Sequence, residues 1–154
     1  MTMAIPGSIT GGAQTGFTTP TYTTTADKAA ANANQSIVSA LGGTQTGVRV
    51  HSVSDPFTIF VSKPVNPRVL PSPNPVTGKY PPLPSNRYTV VIRKGANFAA
   101  NNAPAIAYAR LYLDVPAGTD AYDAANLRAM CSALVGTLNQ ISSGMGDTLS
   151  NGVI

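Results

Sequence analysis

Three residues of one short stretch have the types and spacing to do chemistry on a polyanion. Tyr108, Arg110 and Tyr112 lie two apart, and Arg87, Thr89 and Arg93 lie two and four apart upstream. In a β-strand, residues two apart share a face. A face so built offers guanidinium groups to phosphates and phenol rings on which unpaired bases can stack. An exposed sheet face also carries Tyr, Thr and Arg through ordinary strand preference, so the pattern alone leaves both readings open.

No other residue set competes. His51 is the single histidine and Cys131 the single cysteine, so neither an intrachain disulfide nor a multi-thiolate metal site can form. A lone histidine in a strand is ordinarily a polar or hydrogen-bonded residue, and Cys131, beside an apolar helical stripe, reads as a buried thiol. Asp120 and Asp123 read as electrostatic caps of a helix start. The run Gly42–Val48 lacks the lysine and the Ser/Thr that a phosphate loop requires. Asn34-Gln35-Ser36 fits a glycosylation sequon, which has no consequence in a bacterial or viral protein. With no nucleophile–base pair and no carboxylate pair, the expectation is a protein that is not an enzyme and uses no cofactor, metal or small-molecule substrate.

Strands must position the basic and aromatic residues. Pro56–Lys63 reads as one, with Phe57, Ile59 and Val61 on one face and Thr58, Phe60 and Ser62 on the other. Arg87–Lys94 is a second, with Tyr88, Val90 and Ile92 opposite Arg87, Thr89, Val91 and Arg93. Ile106–Val115 is a third: Ala107, Ala109, Leu111, Leu113 and Val115 make an apolar face, and Tyr108, Arg110, Tyr112 and Asp114 a polar one. Gly16–Thr25 reads as part of a half-exposed hairpin, 26–36 is ambiguous, and Val48, Val50 and Val53 suggest a further strand around His51. Residues 64–84 hold eight of the thirteen prolines and form a long extended loop, because proline lacks the amide donor of a helix or central strand.

After Pro116 the period changes from two to about 3.6. Thr119 or Asp120 caps a predicted helix with Asp123 in its first turn. Leu127, Met130, Leu134, Leu138 and Ile141 recur at spacings of three and four, Ser143-Gly144 interrupts, and a short second helix covers Met145–Leu149. Strands followed by helices predict an α+β fold with an antiparallel sheet. The chain is read as one domain: a hairpin and strand region over 1–45, the main sheet with its proline-rich loop over 46–116, and helices over 117–154.

Charged residues make up only 10% of the chain, against about 25% in a typical soluble domain. Such a surface suits a protein that hides much of itself against copies of itself. The charge is also segregated. Residues 1–55 balance; 56–110 carry seven Lys and Arg and no acid; 111–154 carry Arg128 against Asp114, Asp120, Asp123 and Asp147. One part therefore suits a polyanion and another does not. No basic, apolar leader opens the chain and no stretch reaches the length of a membrane span, so it reads as made in the cytoplasm and without a membrane partner.

Four segments together carry a resemblance: Phe57–Pro64, Asn86–Ile92, Tyr108–Pro116 and the helical end with Asn151-Gly152-Val153-Ile154. From about Pro56 to Ile154 the chain resembles the coat proteins of the leviviruses, the small single-stranded RNA bacteriophages. The resemblance implies an N-terminal β-hairpin, a five-stranded antiparallel sheet and two C-terminal helices, interlocked as a homodimer with each subunit's helices over the partner's sheet. It implies a quasi-equivalent icosahedral shell, located in the virion, whose inner sheet face meets genomic RNA and whose dimer binds an RNA hairpin to repress replicase translation. On that face it places Thr58, Phe60, Ser62, Arg87, Thr89, Val91, Arg93, Tyr108, Arg110 and Tyr112, with Tyr108 as the base-stacking residue. It places Leu127, Met130, Leu134 and Leu138 at the dimer interface, and the loop 95–104 at subunit junctions around the symmetry axes. Alternatives of other classes are a dimeric RNA-binding regulator that forms no shell and a fimbrial or surface-layer protein. The lack of a leader argues against the last.

Overall fold

The computed structural model describes residues 2–154. Six strands, β1 (Ser8–Thr10), β2 (Thr18–Ala29), β3 (Ala33–Thr44), β4 (Phe57–Ser62), β5 (Ser85–Ala96) and β6 (Ala105–Pro116), form one antiparallel sheet in sequence order. Helices α1 (Thr119–Tyr122), α2 (Ala124–Gln140) and α3 (Ser142–Asn151) follow. The α+β class with an antiparallel sheet holds. Among the described residues the strand count is six, not five, and the helices number three, not two.

The differences have local causes. The ambiguous stretch 26–36 is a hairpin, in which Ala30 and Ala33 exchange backbone hydrogen bonds of 2.7 and 3.4 Å around Ala31-Asn32. Ladder pairing on both flanks overrides the weak strand preference of Ala and Asn. The expected N-terminal hairpin is the short β1 laid on β2 within the same sheet. The expected strand around Val48–Val53 is absent: its polar groups close a local turn instead. The Ser52 and Asp55 backbones bond at 3.0 Å, the Asp55 amide donates to Ser52 Oγ at 3.1 Å, and Val53 points wholly into solvent. His51 is partner-bonded as read, its Nδ1 accepting from the Phe57 amide at 3.1 Å.

The single predicted helix from Thr119 is interrupted at Asp123, whose carboxylate accepts from the amide and the side-chain amide of Asn126 and so caps α2. Ser143-Gly144 does not break the helical region; the break falls at Ile141, and both residues are inside α3. Contacts to the β1–β2 loop fix that joint. Ser142 Oγ donates to the Ala13 carbonyl at 2.9 Å, Gln14 Nε2 donates to the Ser142 carbonyl at 2.7 Å, and Thr15 Oγ1 donates to Asp147 at 2.8 Å. Cys131 is half-buried rather than buried.

These contacts make an arch. α1 touches β6, at one edge of the sheet, while α3 is tied to the loop beside β1, at the other. Six strands span about 24 Å at 4.8 Å spacing, and seventeen helical residues span about 25 Å. α2 bridges that width without extended contact with any strand. The apolar face of the sheet stays open: Ala107 and Ala109 are exposed, and Ile92 is 38% exposed. Among the described residues, Val38, Ala117 and Pro20 are the buried apolar side chains. The accessible surface is 10592 Å², whereas size scaling gives about 7,300 Å² for a compact monomer of this mass.

The strongest polar contacts hold the β3–β4 loop to the end of β5. Asp55, 5% exposed, accepts from Lys94 at 2.9 Å and from Arg49. Arg49 also reaches the Gly95 carbonyl at 3.3 Å and Asn97 at 3.2 Å, and thereby fixes the start of the loop 97–104. Gly95 is required here, because a Cβ would lie 2.1 Å from the Asp55 carboxylate. Burial works to raise the Asp55 pKa, but Lys94 and Arg49 outweigh it and hold the carboxyl below its ordinary 3.8. A lowered folded pKa means the contribution is complete above the unfolded value and disappears as pH falls through the folded one. Asp55→Asn, which leaves two cations without an anion, should cost about 2–4 kcal/mol at neutral pH. It should also flatten the acid limb of a thermal-melting pH series below pH 4.

Candidate nucleic-acid interface

Sheet register brings the sequence-predicted residues together. Thr58 pairs with Arg93 and Arg93 with Tyr108; Phe60 with Val91 and Val91 with Arg110; Ser62 with Thr89 and Thr89 with Tyr112. Arg87 pairs with Asp114 in the next row. Directly paired residues share a face, so all ten lie on one side of β4, β5 and β6. The rows extend to β3, where Ile37, Gln35 and Ala33 oppose Thr58, Phe60 and Ser62. Gln35 was not singled out from the sequence, because its strand was not legible there.

The ten residues have different availability. Tyr108 and Tyr112 are about half exposed, and Arg110 and Arg87 are exposed. Thr58 is 1% exposed and accepts from Arg93 Nε at 2.9 Å, so it orients the arginine rather than reaching a ligand. Phe60, Ser62, Thr89, Val91 and Arg93 are half-buried and form the floor. On the outer strand the Arg110 guanidinium lies 4.2 Å from the Tyr108 ring centroid, and that of Arg87 lies 5.1 Å from the Tyr112 ring. A guanidinium on a phenol ring keeps its hydrogen-bonding edge free and stiffens both groups.

Asp114 is the residue whose effect sequence reasoning missed, although its place on the polar face was legible. Its two oxygens accept from Arg87 Nε and Nη2 at 2.7 and 2.8 Å. The hydrogen bond from Arg87 holds the Asp114 carboxyl below its ordinary range, and Asp114 pushes the Arg87 pKa up in turn. A fork-to-fork pair occupies the donors a phosphate would use. Arg110 and Arg93 are therefore the face's cations without a carboxylate partner among the described residues.

No group of three or more His, Cys, Asp or Glu able to hold a metal occurs among the described residues, and no described helix is long and apolar enough to cross a membrane. The basic-aromatic face can hold an extended anion with planar bases, by phosphate contact at Arg110 and Arg93 and stacking at Tyr108 and Tyr112. If Asp114 masks Arg87, Asp114→Asn should strengthen binding to heparin or single-stranded RNA. It should also steepen the salt dependence by about one counterion. A titration across a salt series checks this, and an unchanged slope contradicts it.

No family model matches the sequence, and a search of curated proteins finds no match. Among solved structures, the virus-like particle of bacteriophage ESE020 contains a chain 45% identical to this one, with a TM-score of 0.95. The likeness covers 99% of this chain and 100% of that one. At that identity over the full length, including the arch of helices and the proline-rich loop, the chain belongs to the family of bacteriophage capsid proteins represented by the ESE020 particle.

Proposed function

We propose that this protein is the coat subunit of a single-stranded RNA phage of the levivirus kind, which assembles as homodimers into an icosahedral shell around the viral genome. The observation that carries this reading is the open arch. One chain leaves the apolar face of its sheet and the apolar side of α2 uncovered, and a second copy supplies what both lack. Leu127 and Leu134 are half-buried, while Met130 is 43% and Leu138 36% exposed. In the proposed dimer they lie on the partner's sheet, against Ile92, Ala107, Ala109 and Leu111. The outer edge of β6 has no partner strand among the described residues, and twelve residues of open strand are a ready pairing site. Two such edges meeting about a twofold axis continue the sheet into the partner.

The loop 95–104 then lies at junctions between dimers, with Arg49 and Asp55 holding its first residues. The basic-aromatic face lines the interior and packages RNA. In this reading the same face binds a genomic hairpin and represses replicase translation, with Tyr108 stacking on an unpaired base. The alternative of an RNA-binding dimer that forms no shell has no observation of its own in its favour.

Electron microscopy and size-exclusion chromatography of the recombinant chain test the assembly. Closed shells are expected; small dimers or filaments alone contradict it. Leu134→Asp should abolish both shells and soluble dimer, because a second copy would bury an unpaired charge; a well-folded monomer from this variant overturns the interlocked interface.

RNA recognition is checked separately, by filter binding to phage hairpins and to random RNA. Arg110→Ala and Arg93→Ala should weaken both, and more so at low salt. Tyr108→Ala should cost about 1–3 kcal/mol on the hairpin and less on random RNA. Equal losses on both would leave packaging and remove specific recognition.

A further inference from the structure

The longest connection in the chain is a built arm. Residues 64–84 leave β4 and return to β5, and both ends are pinned. Arg68 donates its amide to Asn86 Oδ1 at 2.7 Å and accepts from Asn86 Nδ2 at 2.9 Å, with Asn86 only 7% exposed. Pro84 accepts from the Ala117 amide at 2.8 Å. Leu70 packs on Gly118, where φ is +91° and a Cβ would meet Leu70 at 3.2 Å. The tip is also ordered: Asn74 Oδ1 accepts from the amides of Val76 and Thr77 at 2.8 and 3.2 Å, and the Asn74 amide donates to the Lys79 carbonyl at 2.8 Å.

This anchored, proline-stiffened arm presents apolar side chains to solvent. Val69 is 80%, Val76 91% and Tyr80 53% exposed. Eight prolines restrict the unbound conformations, so docking loses little further entropy. The arm carries Arg68 and Lys79 and no acid. Beside its root stands a surface of complementary kind. Tyr122, 96% exposed, is flanked by Asp120 and Asp123 at the α1–α2 junction. Arm and acceptor lie at the same end of one molecule, joined through Leu70–Gly118 and Pro84–Ala117. That is the arrangement an isologous contact uses, in which two copies meet end to end and each arm reaches the other's acceptor.

We propose that the arm 64–84 is an inter-dimer clamp, seating Val76 and Tyr80 of one copy on the α1–α2 junction of a second copy from a neighbouring dimer, with Lys79 facing Asp120. The inference rests on the reading of the chain as a particle subunit. It gives the proline-rich loop a role in joining dimers rather than in making them. Aliphatic side chains dominate the exposed arm, which favours a protein surface over RNA as its occupant.

The test uses the full chain with a photo-activatable benzophenone amino acid at position 76. Crosslinks are mapped by peptide mass in assembled particles and in dimers dissociated from them. The expected product joins the arm to a peptide containing Tyr122 of another copy, in particles, at least tenfold above its yield in dimers. Crosslinks confined to the same chain, crosslinks to RNA, or equal yields in both states overturn the clamp. A charge reversal gives a second readout. Lys79→Glu should lower particle yield at least tenfold with dimers intact, and adding Asp120→Lys should restore it; undiminished yield, or no rescue, also counts against the clamp. Failure of the unmodified chain to form particles overturns the capsid reading and the clamp together, whereas particles with crosslinks elsewhere overturn the clamp alone.

Discussion

α2 spans the sheet from the β6 edge to the β1 edge without extended contact with any strand, so one chain leaves apolar contact between sheet face and helix unmade. α2 crosses from the β6 edge to the β1 edge and is held at both ends, by α1 against β6 and by Ser142, Gln14 and Asp147 at the β1–β2 loop. The span between is carried without support from the sheet below. Among the described residues, Val38, Ala117 and Pro20 are the buried apolar side chains, a small core against the entropy of ordering so long a chain. Ladder hydrogen bonds alone do not close that gap, since each adds about 1 kcal/mol net. A second copy filling the space under the arch would supply the missing core, and fold and assembly would then be one event.

The two faces of the sheet divide the work. Alternation in β4, β5 and β6 sends Phe57, Ile59, Val61, Val90, Ile92, Leu111 and Leu113 to the arch side and the basic-aromatic residues to the other. A register slip of one residue would exchange the faces entirely, so covering the first set by a second copy would enforce presentation of the second. The electrostatics are graded across that face. Asp114 holds Arg87 at the β6 terminus, Thr58 orients Arg93 in the floor, and Arg110 stacks on Tyr108 at the exposed edge. Cation availability thus rises from the arch end of β6 toward its middle, a refinement that net charge alone does not contain.

Much of this was legible in the sequence because period-two alternation in 57–62, 87–94 and 106–115 is strong and uninterrupted. The register accordingly puts the ten face residues on one side. Legibility failed where the ladder, not the side chains, decides the structure. Residues 26–36 have few strand formers yet make the β2–β3 hairpin, and Val48, Val50 and Val53 have strand spacing yet sit in a loop governed by Asp55. Glycine ordinarily ends helices, so the sequence puts the helix joint at Ser143-Gly144. It falls at Ile141 because Ser142 is held by Ala13, a contact across 129 residues of chain that no local pattern reports. The pairing of Arg87 with Asp114 depends on strand register in the same way.

If a second copy completes the core as proposed, a folded single chain is not a stable species. This claim is tested most directly by measuring the urea unfolding midpoint of the assembly-competent dimer over a hundredfold range of protein concentration, with native mass spectrometry at each end. The midpoint should rise with concentration and folded monomer should be absent, since dimer formation and folding are then linked by mass action. A midpoint independent of concentration, accompanied by a compact folded monomer, would contradict it.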